Sequence, residues 1–397
     1  MLNNIKNNDF KAGVYMLASI TIGALMPLII QLSNAKISPF FTGGIYNLSS
    51  AIICFLFLLI YQFNMSKNIS HLKLCVLESV KFKTLKFFIP SIIGVSFASS
   101  FFTWSINYID PATAAIIFAT WPIIMVANTG ILFKNKNKFN KTNCEIYFFM
   151  FLALIGFAFV SLSESVEIPL SRNENFIKGA FLALLGGIAS SLVATFTLRS
   201  GKSIEENLQT ESKVLTFMFC VIFSLFISRL IGAIVPFYIS YSSDEKITFD
   251  LFLWCSVCGI LVGGVSSILF RKANVLTKNL GINSLVYFRI IISLFLLWLF
   301  DQTNAFDQKY FIIGVIIIIT ANFLINFSNY IDNFYKAVIT ILLVIWAWSY
   351  FEQYNFFNNG YILIVIISSS IYLTSKIPQI EKFNKNGDSE NNITKGK

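Results

Sequence analysis

The chain has 397 residues, 56% of them hydrophobic and 13% charged, with a formal charge of +10 and a mean hydropathy of +0.70. A soluble globular domain carries about 25% charged residues, so the composition excludes that class and places the chain in a bilayer. Apolar runs of about 20 residues recur along the length, each enough for a helix to cross ~30 Å of hydrocarbon. The ~10-residue alternating segments of a transmembrane β-barrel are absent.

Ten apolar spans are predicted, at 12–32, 40–63, 87–108, 112–134, 146–164, 177–199, 214–239, 250–270, 280–300 and 310–328. Two shorter apolar segments follow at 335–351 and 360–375, and the tail from Lys376 is polar. Lys6 and Lys11 precede a first run too long for a signal-peptide core, so it is expected to be retained as a span. Pro27 falls inside that span. The turn Asp110-Pro111 joins the third span to the Ala-rich fourth, "PATAAIIFATWPIIMVANTGILF", which carries Trp121-Pro122 near its middle. Each proline removes a backbone donor and kinks its helix, which makes Pro122 a candidate hinge. Gly259, Gly263 and Ser266 stack at helical spacing in the eighth span, a pattern of close helix packing.

With the N-terminus cytoplasmic, 23 Lys and Arg fall on the inner segments and 5 on the outer ones, and Arg229 and Arg289 lie within spans. This asymmetry predicts an even number of spans, both termini cytoplasmic, and residence in the cell (plasma) membrane. The basic excess then reflects topology and not affinity for nucleic acid.

The sequence also repeats. Gly13 in "KAGVYMLA" matches Gly179 in "IKGAFLAL", and Gly94 in "SIIGVSFASS" matches Gly259 in "SVCGILVGGVSS", at nearly the same offset. Two halves of five spans each must face opposite ways, because five is odd. The expected fold is therefore an all-α polytopic membrane protein with ten core transmembrane helices as a 5+5 inverted repeat and two extra C-terminal helices. The expected divisions are 1–165, 166–330, 331–375 and a cytoplasmic tail at 376–397.

Chemistry-bearing patterns are sparse. Cys255 and Cys258 form a CxxC with no second pair and no nearby histidine, which reads as buried, inert thiol. His71 is the single histidine and lies in a basic loop. Acidic residues fall in loops or at span ends, and no phosphate-binding GxxxxGK[ST] run occurs. No enzyme activity, metal or cofactor is expected, and any active transport would be secondary.

The third-to-fourth-span hairpin, the basic start, the repeat and the "KGAFLALLGGIASS" opening of the second half together resemble EamA-type members of the drug/metabolite transporter superfamily, over about residues 12–328. That resemblance implies an alternating-access carrier for small organic solutes, with a central cavity lined by spans 1, 3, 4, 6, 8 and 9. The chain departs from the family's pattern in three ways: Phe133-Lys134 lacks an acidic partner, "GGIYNLSS" lacks an arginine, and Arg289 stands opposite Pro122 in the second half.

The candidate substrate-binding residues are Arg289, Trp104, Asn107, Trp121 and Arg229. A mid-span arginine costs about 2.5–3.5 kcal/mol on insertion scales and usually faces a cavity or the bundle interior. Arg289 is thus read as an anchor for a carboxylate or phosphate, or as a helix–helix hydrogen-bond donor. Arg229 reads either as cavity lining or as snorkelling to the outer interface. Trp104 and Asn107 share a helix face that offers a ring and an amide, and Trp121 lies too deep for an interfacial anchor, so these three line a cavity or pack. Arg271-Lys272 is accounted for by topology alone. The expected function is a secondary transporter of a small, neutral or anionic organic metabolite, by facilitated diffusion or exchange, with a lipid-linked oligosaccharide flippase as the alternative. Expected partners are the small-molecule substrate, the lipid bilayer and a second copy in a homodimer, without nucleic acid.

Overall fold

The computed structural model describes residues 2–33, 38–65, 70–109, 148–156, 174–206, 213–276, 280–300 and 308–326, with isolated positions between 114 and 128 and at 159. The chain divides into two compact units, 1–138 with 146–322 and 139–145 with 323–397. Everything below concerns the first. The expected spans 112–134 and 146–164 lie largely outside the described residues. The turn at Asp110-Pro111, the two C-terminal segments and the polar tail lie outside them altogether.

Every described element is helical, and the chain is an integral membrane protein of the all-α class. In chain order the elements are α1 Leu2–Gly23, α2 Met26–Ser33, α3 Pro39–Met65, α4 Ser70–Ser79 and α5 Phe82–Ser105. They continue with α6 Glu174–Glu205, α7 Lys213–Gly232, α8 Ile234–Ser242, α9 Phe249–Cys258, α10 Ser267–Leu276, α11 Phe288–Leu299 and α12 Gln308–Asn326. Among the described residues, six stretches are long and apolar enough to cross a membrane: 10–30, 39–63, 82–105, 177–205, 216–242 and 249–276. Each overlaps a span predicted from the sequence.

Three departures from straight α-helix follow from local chemistry. The first span breaks at Ala24–Leu25, just before Pro27, whose missing N–H cannot bond the Gly23 carbonyl. The Ala24 carbonyl at the break accepts the Ser293 hydroxyl at 3.0 Å instead. In the eighth span, Gly259–Ser266 is wound as π-helix between α9 and α10. The ninth opens as a 3-10 helix, Leu280–Tyr287, before α11.

The core gathers around α7. Phe219, Phe223 and Cys220 pack with Cys54 and Leu58 of α3, Phe88 and Val95 of α5, and Ile268 of α10. Lipid is as apolar as these side chains, so close backbone approach, and not hydrophobic burial, selects the helix pairs. A Cβ on Gly94 would lie 2.5 Å from the Ala189 carbonyl of α6, and one on Gly259 would lie 2.6 Å from the Tyr46 carbonyl of α3. The outward faces stay apolar, with Ile52, Phe55, Leu56 and Phe63 of α3 exposed for lipid.

One end of α3 is tied to the loop between α8 and α9. The Glu245 carboxylate accepts from the Phe40 and Phe41 amides at 3.2 and 2.8 Å, capping the helix N-terminus. Asp244 takes a left-handed conformation at φ 50°, which lets the loop turn back. Thr248 then starts α9 by accepting the Leu251 amide at 3.2 Å.

Candidate functional site

A cavity of about 140 Å³ opens where the broken first span, the π segment and the 3-10 segment converge. Ser19, Ile20 and Gly23 of α1 and Met26 of α2 form one wall. Ala98 and Ser99 of α5 and Ser190, Val193 and Ala194 of α6 form another. Phe118 and Trp121, Val262 and Ser266, and Ser267, Phe270 and Arg271 of α10 close the sides, with Val286 and Arg289. Tyr46 of α3 and Arg229 of α7 complete it. Every span in the lining implied by the family resemblance contributes, and the second and seventh add Tyr46 and Arg229.

The irregular segments place the polar groups. At the π segment, Ser19 and Ser266 exchange hydrogen bonds, each hydroxyl donating to the other's carbonyl at 2.8 Å. Near this pair stands the Arg289 guanidinium: it and Ser266 Oγ each lie 3.4 Å from where a Cβ on Gly23 would be. The N–H donors of Arg289 find one acceptor, the Met26 sulfur at 3.3 Å, and a thioether is a weak one.

Arg229 lies at the middle of its span and is only 8% exposed. It does not snorkel. Its guanidinium donates to Asn47 Oδ1 at 2.6 Å and sits over the Tyr46 ring at 5.1 Å, while Asn47 donates through Nδ2 to the Val95 carbonyl at 2.9 Å. This chain joins α7, α3 and α5 through one amide. Snorkelling fails because the neighbouring helices offer Arg229 a neutral acceptor and a ring face at its own depth.

Arg271 is 4% exposed and donates to the Ala194 and Val193 carbonyls of α6 at 3.2 and 3.1 Å. Topology alone does not account for it. The adjacent Lys272 stays partly exposed, with its ammonium over the Tyr15 ring at 4.2 Å. The Nε atoms of both Arg229 and Arg271 are buried without a partner, as is the Ser99 hydroxyl. Among the described residues, no carboxylate reaches any of the three guanidiniums. The described ion pairs, Lys81–Glu78 and Lys83–Glu206, lie elsewhere on partly exposed side chains.

Two candidates lie away from the cavity. Trp104 packs its ring against Phe40 at 5.5 Å and Tyr108 at 6.5 Å. Asn107 is exposed, and its amide N–H closes the end of α5 on the Trp104 carbonyl. The face they share points past the cavity because Ser99, about one and a half turns earlier, already holds that wall. Trp121 lines the cavity and meets Phe270 edge-on at 5.6 Å, while Pro122 beside it is buried. The thiols of Cys255 and Cys258 are buried and free. No metal-binding cluster of His, Cys, Asp and Glu occurs among the described residues.

No protein-family model matches the chain, and no curated protein matches it. A solved structure described only as "Crystal structure of protein" is similar in fold, with a TM-score of 0.57 at 13% identity over 79% of this chain and 95% of that one. At that identity the likeness extends to the fold alone.

Proposed function

We propose that this protein is a secondary carrier of the EamA type that moves a small organic metabolite across the plasma membrane by alternating access, as an exchanger. The observation that supports it best is the cavity itself, a mostly apolar space with a few converging polar groups, central to its spans and built from both halves of the sequence. Its polar groups are serines, a tyrosine and arginines. No described lining residue is a carboxylate or histidine, so the site offers solute binding and no general base.

The ten-helix 5+5 inverted repeat is part of the proposal, and the packing supports it. α5 runs along α6, and the π segment and α10 run along α1, contacts that a two-fold axis relating the halves would exchange. α3 packs on α7, as an element and its own repeat mate would across that axis. A flippase for lipid-linked oligosaccharides is expected to lack such a repeat. The break at Ala24–Leu25 and the π segment both border the cavity and are places where a span can bend during the transition. Pro122 is the proposed hinge in the fourth span.

Exchange follows from the electrostatics. Switching access around an empty cavity in which Arg229 and Arg289 have no counter-charge is unfavourable, so an anion should occupy the site in each transition. The test is counterflow in proteoliposomes, with a labelled metabolite outside and a metabolite library inside. Uptake should depend on internal solute and ignore an imposed pH gradient. Uptake driven stoichiometrically by the pH gradient would overturn exchange, and the absence of counterflow with any library member would overturn the carrier.

A further inference from the structure

We propose that the cavity binds a compact dianion, a phosphomonoester or dicarboxylate of about six to ten heavy atoms, held between Arg229 and Arg289. The carrier reading enters only in what happens to this ligand after it binds.

Charge counting selects two negative charges. Among the described residues the cavity carries three guanidiniums and no carboxylate contact. Arg271 is provided for by the protein, because two α6 carbonyls accept from its two terminal nitrogens and the Phe270 ring lies 5.3 Å below it. Arg229 has one neutral oxygen and a ring face, and Arg289 has a thioether. These two keep most of their five N–H donors for a ligand. A monoanion would leave one buried cation without a counter-charge, whereas a dianion bridging the pair leaves none beyond Arg271. Guanidinium forks match carboxylate and phosphate oxygens two at a time.

Volume and polarity set the rest. A cavity of about 150 Å³ takes a six-carbon ring, so about 140 Å³ admits a solute of that order. The ligand's uncharged part meets a mostly apolar wall to which Ile20, Val193, Val262 and Phe270 contribute. The Arg289 guanidinium lies on the Ser266 side of the cavity. A membrane phosphodiester offers the same oxygens with one charge fewer, which separates a lipid headgroup from a soluble dianion by experiment.

The experiment is a thermal-shift titration of the purified full chain in neutral detergent at pH 7.5 and constant ionic strength. The probes are glycerol 3-phosphate, succinate and inorganic phosphate against lactate, chloride and glycerol, with phosphatidylglycerol in mixed micelles as the lipid arm. At least one dianion should stabilise saturably and bind tenfold or more tightly than lactate. Arg289→Gln and Arg229→Gln should each lower that affinity tenfold or more, with Arg289→Lys retaining part of it. The wild-type comparison of dianion with monoanion decides the matter even if a variant does not fold. Equal shifts for succinate and lactate, or stabilisation by phosphatidylglycerol alone, would overturn the proposal. If dianions bind and no counterflow is seen, the dianion site stands and the carrier falls. If a neutral solute shows counterflow while dianions do not bind, the carrier stands and the dianion falls.

Discussion

At the scale of single residues, Asn47 and Glu245 do specific work through one or two hydrogen bonds. Among the described residues, Asn47 is the only one whose oxygen accepts from the Arg229 guanidinium, so Asn47→Leu strands a buried cation. The expected cost is about 1–3 kcal/mol, read as a lower melting temperature in detergent. Asn47→Asp keeps the acceptor for Arg229, gives up the donor to the Val95 carbonyl and adds a competing negative charge, and it should weaken dianion affinity more than tenfold. Glu245→Ala removes the cap on the α3 amides and should lower stability by about 0.5–2 kcal/mol, the usual range for losing an N-terminal cap. Dianion affinity should be unchanged in that variant, because Glu245 is not among the residues lining the cavity.

At the scale of elements, the matched glycines of the two halves separate repeat from packing. A Cβ on Gly13 would meet nothing within 4 Å, whereas one on Gly179 would lie 2.7 Å from the Ile109 side chain. Gly13→Ala should therefore be neutral or stabilise by up to about 1 kcal/mol through helix propensity. Gly179→Ala should destabilise by about 1–3 kcal/mol through overpacking, and the two melting temperatures should move in opposite directions or differ clearly. The π segment is the second element-scale test. Deleting the exposed Ile260 turns α10 by about 100° relative to α9, which takes Arg271 away from the Val193 and Ala194 carbonyls. Helix content by circular dichroism should be retained while the dianion-induced shift disappears.

At the scale of the whole molecule, the distribution of basic residues predicts orientation. Alkaline phosphatase fused after residue 397 should be inactive and a fluorescent protein at the same place should be bright, because that end carries five Lys in its last 22 residues. An active phosphatase fusion would invert or break the proposed topology. Much of the fold was legible in this way. Six predicted spans overlap six long apolar helices, since length and hydropathy alone decide what can cross a bilayer. The Gly259 and Gly263 stack was legible as close packing, because a small residue at helical spacing has few other uses in a membrane.

Candidate residues were legible less evenly. Arg289 and Trp121 stood out as groups too deep for an interface, Arg229 read equally as snorkelling to the outer surface, and all three line the cavity. Trp104 and Asn107 lie elsewhere, and Arg271 was hidden in a basic pair that topology already explained. Sequence by itself determined the membrane class and the identity of the mid-span cations, because both depend on the cost of charge in hydrocarbon. Tertiary structure decided which cations converge and which are already provided for. Helix breaks at Ala24–Leu25 and winding changes at Gly259–Ser266 shift which face of a span looks inward, and regular helical spacing cannot anticipate them.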